Sequence, residues 1–212
     1  MGGKAILVDP YLTKNPRATV RADAVMADFI LVTHGHFDHI GDAVAIARCT
    51  GAEIIANPGV ARWLAGQGAA KATGQEIGVD GLYAFGHLRL TPAVHDGSLP
   101  DGSYGGEPAG FLLTALSGEK IYIAGDTYFF EEMDSIGKDG LDLAILPIGG
   151  KYTMDPDDAL KAVQLLKPKR AIPYHFGTWE IIEQDPARWK QDVEALTSTR
   201  VTVLKPGESL TI

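Results

Sequence analysis

Short apolar runs alternate with stretches of helical periodicity along most of this chain. "AILVD" (5–9) and "DFILVTH" (28–34) read as strands, the second apolar enough to be buried on both faces. "GDAVAIARC" (41–49) then reads as a helix, with Asp42 as its cap, followed by the strand "EIIA" (53–56) and a helix from Pro58 to Gly66. The Gly-rich stretch from Gly68 to Asp80 reads as a loop.

The middle of the chain changes character. "HLRLTPAVH" (87–95), "AGFLLTAL" (109–116) and "KIYIAGD" (120–126) are strands in succession, and "SGEK" (117–120) has hairpin chemistry. Alternation resumes with "LDLAILPIG" (141–149), a helix from Pro156 to Lys167, "RAIPYHF" (170–176), a helix from Pro186 to Leu196, and a final strand pair. Asp155-Pro156 and Asp185-Pro186 each set an N-cap acid before a proline at the first helical position. Ala159, Val163 and Leu166 share one helix face, as do Trp189, Val193 and Leu196. No repeat or linker interrupts the pattern, so residues 1–212 are expected to form one α/β domain with two sheets covered by helices.

Composition narrows the classes. Apolar residues at 45% and charged residues at 22% argue against wholesale disorder. A formal charge of −8 disfavours a general nucleic-acid or anionic-membrane binder, and the short basic cluster "KPKR" (167–170) reads as a solvated helix end. No leader-like segment or long apolar run is visible, which makes a cytoplasmic location the expectation. Cys49 is the only cysteine; it excludes an internal disulfide and a thiolate metal cluster, and is expected to be a small buried side chain.

Three of the six histidines fall in "VTHGHFDHIGD" (32–42). Candidate ligands recur at strand ends: His34 closes "FILVTH", His95 closes "LTPAVH", Asp126 closes "IYIAGD" and His175 lies in "RAIPYH". Strand ends of layered α/β folds open into crevices where ligands bind. In an extended segment His34 and His36 point the same way, while the adjacent Asp38 and His39 diverge. The stretch therefore suits two metals better than one: His34 and His36 on the first, Asp38 and His39 on the second. His95 can complete one and His175 the other, with Asp126 bridging. Imidazole and carboxylate ligands without thiolate suit Zn, Mn, Fe or Ni.

"HGHFDH" resembles the H-x-H-x-D-H signature of the metallo-β-lactamase superfamily, with His95, Asp126 and His175 in the order of its later ligand motifs and Asp9 at its early aspartate. The segments "ILVDPYLTKNP", "IAGDT", "LPIGG" with "TMDPDDA", and "IPYHFGTW" with "EQDP" resemble a group of little-characterised metal-dependent hydrolases related to ascorbate-6-phosphate lactonase. That resemblance implies a four-layer αββα sandwich. Such proteins usually begin with one more strand bearing a Gly-His-Ser-like segment, whereas this chain opens at "MGGKAILVD": either the start was assigned late, or one edge strand and a histidine flanking the site are absent. Asp155 stands where the group usually has glycine, which puts the shape of that loop in question.

Asp9 is expected to orient a ligand histidine, and His87, alone at a strand start, to be structural or exposed. Tyr104, Tyr152 and Trp179 are candidates to line a pocket, although aromatic residues near strand ends are more often core. Two divalent ions bring +4 and Asp38 with Asp126 return −2; a bridging hydroxide leaves about +1 in a chain of −8. The function expected is hydrolysis by that hydroxide of a small, anionic ester, lactone or phosphoester, with Zn the favoured pair of ions and Asp38 accepting a proton after attack. One alternative is a phosphodiesterase acting on RNA or cyclic nucleotides, although 48 residues between Asp126 and His175 leave no room for an inserted nuclease domain. The other is a metal-binding regulatory protein without catalysis. A homo-oligomer stays open.

Overall fold

The computed structural model describes residues 1–138 and 140–212 and contains two β-sheets with helices outside them. The first sheet is all parallel and takes its strands in chain order: β1 (Ile6–Val8), β2 (Phe29–Leu31), β3 (Glu53–Ala56) and β4 (Ala72–Gly74). The second holds seven neighbours, also in chain order: β5 (Asp80–Tyr83), β6 (Gly86–Pro92), β7 (Ala109–Ala115), β8 (Lys120–Ile123), β9 (Leu143–Pro147), β10 (Arg170–Tyr174) and β11 (Arg200–Val201). Pairing is antiparallel from β5 to β8 and parallel from β8 to β11. Because β6 and β8 both oppose β7, strands β6, β8, β9 and β10 run the same way, and their C-terminal ends share one edge.

Side chains alternate across both sheets with period two, and this sorts them into three cores. Ile30 of β2, Val32 just past its end, and Ile54 and Ala56 of β3 face α2 (Ala43–Thr50) and α3 (Pro58–Gly66). Leu31 and Ile55, one residue out of phase, instead meet Leu88, Leu90, Phe111 and Leu113 between the sheets. Leu112 and Tyr122 face the far side, against α4 (Met133–Gly137), α5 (Pro156–Leu166) and α6 (Pro186–Leu196). Helix, sheet, sheet and helix are thus four layers, with one apolar core at each boundary.

Both Asp-Pro helix starts form as read. Asp155 accepts from Asp158 N at 2.9 Å, and Asp185 accepts from Ala187 N and Arg188 N at 2.9 and 3.1 Å. With φ −82°, Asp155 occupies an ordinary extended conformation, so the non-glycine residue there disturbs nothing and gains a cap. Hairpin β7–β8 turns at "SGEK", where Gly118 takes φ +105°.

The structure corrects several local readings. The stretch 68–80 contains β4, a strand with no apolar signal that exists because it pairs along the free edge of β3. Past β11 no second closing strand follows, only irregular chain to Ile212. Leu196 is 64% exposed although it shares a helix face with buried Trp189 and Val193, because the core ends before the last turn. Cys49, expected to be buried, is exposed, whereas His87 is exposed in keeping with its reading. Asp42 does not cap α2; its carboxylate turns back to accept from Leu12 N at 2.7 Å, Thr13 N at 2.9 Å and the Thr13 hydroxyl.

Candidate metal centre

Seven side chains converge on the shared strand edge. His34 and His36 leave the end of β2, and Asp38 and His39 lie in a single helical turn, α1 (Phe37–Ile40). The turn separates the last two from the extended pair, giving them a different direction from His34 and His36. His95 follows β6, Asp126 follows β8 and His175 follows β10 directly, in the left-handed region at φ +54°. Gly149 makes that approach feasible, since a Cβ there would lie 2.2 Å from the His175 carbonyl oxygen. Thr127 ties the loops together by accepting from Val94 N at 2.9 Å, while its carbonyl accepts from Met154 N.

The potential ligand atoms fall into overlapping trios. Those of His34, His36 and His95 all lie within 4.8 Å of one another, as do those of Asp38, His39 and His175, and of His34, His39 and Asp126. His36 Nδ1 is 2.9 Å from His34 Nε2 and 3.2 Å from His95 Nε2. Asp126 Oδ2 stands 3.1 Å from His175 Nε2, 3.4 Å from His39 Nε2 and 3.7 Å from His95 Nε2. It reaches histidines of both outer trios at once.

These residues fit divalent ions. Two ligand atoms bound tetrahedrally at about 2.0–2.1 Å from one ion sit about 3.3 Å apart, which is the spacing seen within the trios. Among the described residues, His39 Nε2, Asp126 Oδ1 and both ring nitrogens of His175 are buried without a hydrogen-bond partner. Four such orphans in one place are costly unless a cation satisfies them.

Charge is finely opposed here. Burial, then the neighbouring His39, pushes His34 well below the usual histidine range. Burial also lowers His95. For His39 burial acts downward, but Asp126 and Asp9 outweigh it and raise the group well above its ordinary value. Burial alone would raise Asp126, yet His39, His175 and His34 bring it far below the carboxylate range. Asp38 is held low by His175 and His39 against its own desolvation. Both carboxylates are therefore anionic, as cation ligands must be.

Two further carboxylates grip the imidazoles from behind. Asp9, at φ +45° just past β1, accepts from Thr33 N at 2.8 Å and the Thr33 hydroxyl at 2.6 Å, and lies 2.8 Å from His39 Nδ1. Asp96 does the same for His36, 3.0 Å from its Nε2, and is itself held by Ser98 N and the Ser98 hydroxyl. Those bonds draw Asp96 down to about 2, Ser98 contributing most and His36 next. Sequence reading passed over Asp96; its signal was adjacency to His95, which is weak without the loop geometry.

A cavity of about 370 Å³ opens over the centre, with His36, Asp38, His95, Asp126 and His175 among its lining residues. Tyr152 and Trp179 line it as well, so neither is a core residue, and Tyr104 is 65% exposed outside it.

Sandwich, strand-edge centre and paired trios together define a metallo-β-lactamase-like hydrolase fold. The model of the beta-lactamase superfamily domain matches residues 4–176, and the chain belongs to that superfamily. Within it the chain groups with the UPF0173 metal-dependent hydrolases. It is 47% identical over 214 aligned positions to one from Pelotomaculum thermopropionicum, covering 99% of this chain and 93% of the relative. It is 44% identical to one from Thermus thermophilus, covering 99% and 92%. Among solved structures, Igni18, a metallo hydrolase from Ignicoccus hospitalis, superposes with a TM-score of 0.86 at 36% identity, over 97% of this chain and 89% of that one. Among the described residues, no helix is long and apolar enough to cross a membrane.

Proposed function

We propose that this chain hydrolyses a small ester, lactone or phosphoester at a centre of two divalent ions. The observation that carries the reading is Asp126 Oδ2, within 3.1–3.7 Å of a histidine nitrogen from each outer trio. His34, His36 and His95 would hold one ion, Asp38, His39 and His175 the other, and Asp126 would span both. When bound, such ions supply Lewis acidity and bring water to a reactive, deprotonated form near neutral pH. Zn suits the nitrogen-rich set, with Mn, Fe or Ni compatible.

The remaining steps belong to the chain's own residues. Asp9 and Asp96 fix the ring planes of His39 and His36, so neither imidazole must reorganise during reaction. Asp38 lines the cleft and remains anionic, in position to accept a proton released by attack. A nucleotide phosphodiesterase is disfavoured, since no lysine or arginine lines the cleft among the described residues.

The test is elemental analysis joined to turnover on lactone, phosphodiester and thioester panels. About two ions per chain and metal-dependent hydrolysis are expected. His36→Ala should lose both an ion and turnover. A His36→Ala protein with full metal content and full rate would refute the mechanism, and an inactive, metal-loaded native protein would favour a regulatory role.

A further inference from the structure

We propose that the cleft selects its substrate by an uncharged apolar group, so that the bond cut belongs to a neutral alkyl or aryl ester or lactone and not to a phosphorylated metabolite. This rests on the hydrolytic reading above and reverses the expectation of an anionic substrate. Above the metal-facing floor, the walls are Phe37, Tyr152, Trp179, Ile181 and Ile182. Phe37, Ile181 and Tyr152 are 57%, 54% and 48% exposed, three large apolar side chains left open to solvent in one concavity. Scattered exposed hydrophobics need no explanation, but a concave group beside a reactive centre marks a ligand site.

The walls are built in advance. Tyr11, Phe37 and Trp179 come from three separate segments, after β1, within α1 and after β10. Their rings nonetheless meet, with Tyr11 and Phe37 edge to face at 5.7 Å and Trp179 at 6.2 Å from each. Asp42 holds the loop carrying Tyr11 through Leu12 and Thr13. Trp179 and Ile182 are fixed by a tight turn, in which Ile182 N donates to Trp179 O at 3.1 Å and Gly177 N donates to Ile182 O at 2.9 Å.

A phosphate or carboxylate tail entering these walls would shed water and meet no lysine or arginine among the described lining residues. An alkyl or aryl group would shed water favourably, at about 0.8 kcal/mol for each buried methylene, or about fourfold in kcat/KM. The reaction balances as ordinary hydrolysis. Water's oxygen bonds to the acyl carbon, the bond from that carbon to the alcohol oxygen breaks, one water proton ends on the alcohol and the other leaves from the acid.

The test compares phenyl acetate, butyrate and hexanoate with the monophenyl ester of adipic acid, which matches the hexanoate in length but ends in a carboxylate. With the metal-loaded protein, kcat/KM should climb along the neutral series, and the adipate ester should fall at least tenfold below the hexanoate. Ile181→Arg, at an exposed wall position, should narrow or invert that ratio. Equal or faster turnover of the adipate ester, or no dependence on chain length, would overturn the inference while leaving hydrolysis intact. Should no phenyl ester react, the lactone, phosphodiester and thioester panels decide the hydrolytic reading, and binding still decides the specificity. In metal-free and metal-loaded protein alike, 2-octanone should quench Trp179 fluorescence and 6-oxoheptanoate should not, the signal being absent in Trp179→Phe. Equal quenching by both ketones, or by neither, would reject the apolar pocket.

Discussion

Asp9 and His39, thirty residues apart, meet at 2.8 Å, and this bond turns His39 Nε2 toward Asp126 and Asp38. Asp9 is anchored in turn by two Thr33 contacts, so the ends of the first two strands and the short helix between the ligands form one rigid unit. Replacing Asp9 by asparagine keeps a residue that tolerates φ +45° but removes the charge. Metal affinity should drop about 10- to 100-fold, the usual cost of losing such a partner. Competition against a chelator measures it, and an unchanged affinity would show the bond to be incidental.

Asp96 offers the corresponding support to His36, but its side chain is 67% exposed, and water can replace part of what it gives. Asp96→Ala is therefore expected at the lower end, about a tenfold loss of affinity. Only one ion should weaken, so that chelator titration shows one site shifted about tenfold and the other unchanged. Thermal stability of the metal-free protein should move by less than about 0.5 kcal/mol, as for other exposed positions.

Asp42 separates capping from loop anchoring. Because its carboxylate accepts from Leu12 N and Thr13 N and not from α2, Asp42→Ala should leave far-ultraviolet dichroism intact. It should cost about 1–3 kcal/mol from donors left without partners, which lowers the melting temperature by about 2–4 °C for each kcal/mol. A loss of helical signal would instead restore Asp42 as a cap.

Asp155 is the reverse case, a true cap whose side chain accepts from Asp158 N. Asp155→Ala should destabilise by about 1 kcal/mol and Asp155→Gly by only a few tenths, because an exposed amide is readily solvated. Paired chemical denaturation curves distinguish the two.

Metal removal should expose the cost of the orphaned atoms. An ion in hundredfold excess over its Kd stabilises by about 2.7 kcal/mol, or about 5–10 °C in melting temperature for a chain of this size. Chelation should lower the transition by that amount and abolish turnover, and added Zn should restore both. A melting curve indifferent to chelator would mean that His39, Asp126 and His175 tolerate their buried, unpartnered atoms without help.

Some of this was readable from the chain because the signal was local. Helices α5 and α6 announced themselves through Asp-Pro starts, and the buried strands through unbroken apolar runs. β4 gave no such signal, since Ala72, Thr73 and Gly74 have neither bulk nor alternation, and only the waiting edge of β3 makes them a strand. Cys49, expected to be buried, is exposed, and Leu196 projects beyond the core for a related reason. A helix face has a period in sequence, but whether a neighbour covers each position on it is a property of packing.

The centre divides the same way. Residue types and strand-end positions marked His34, His36, Asp38, His39, His95, Asp126 and His175 as one chemical set, because ligand chemistry resides in side chains and strand ends follow from hydrophobic pattern. Tertiary structure decided that a helical turn splits the first four into two directions, that β6, β8 and β10 deliver the rest to one edge, and that Asp96 and an aromatic rim surround them. Those are distances between segments far apart in the chain, and no local pattern encodes them.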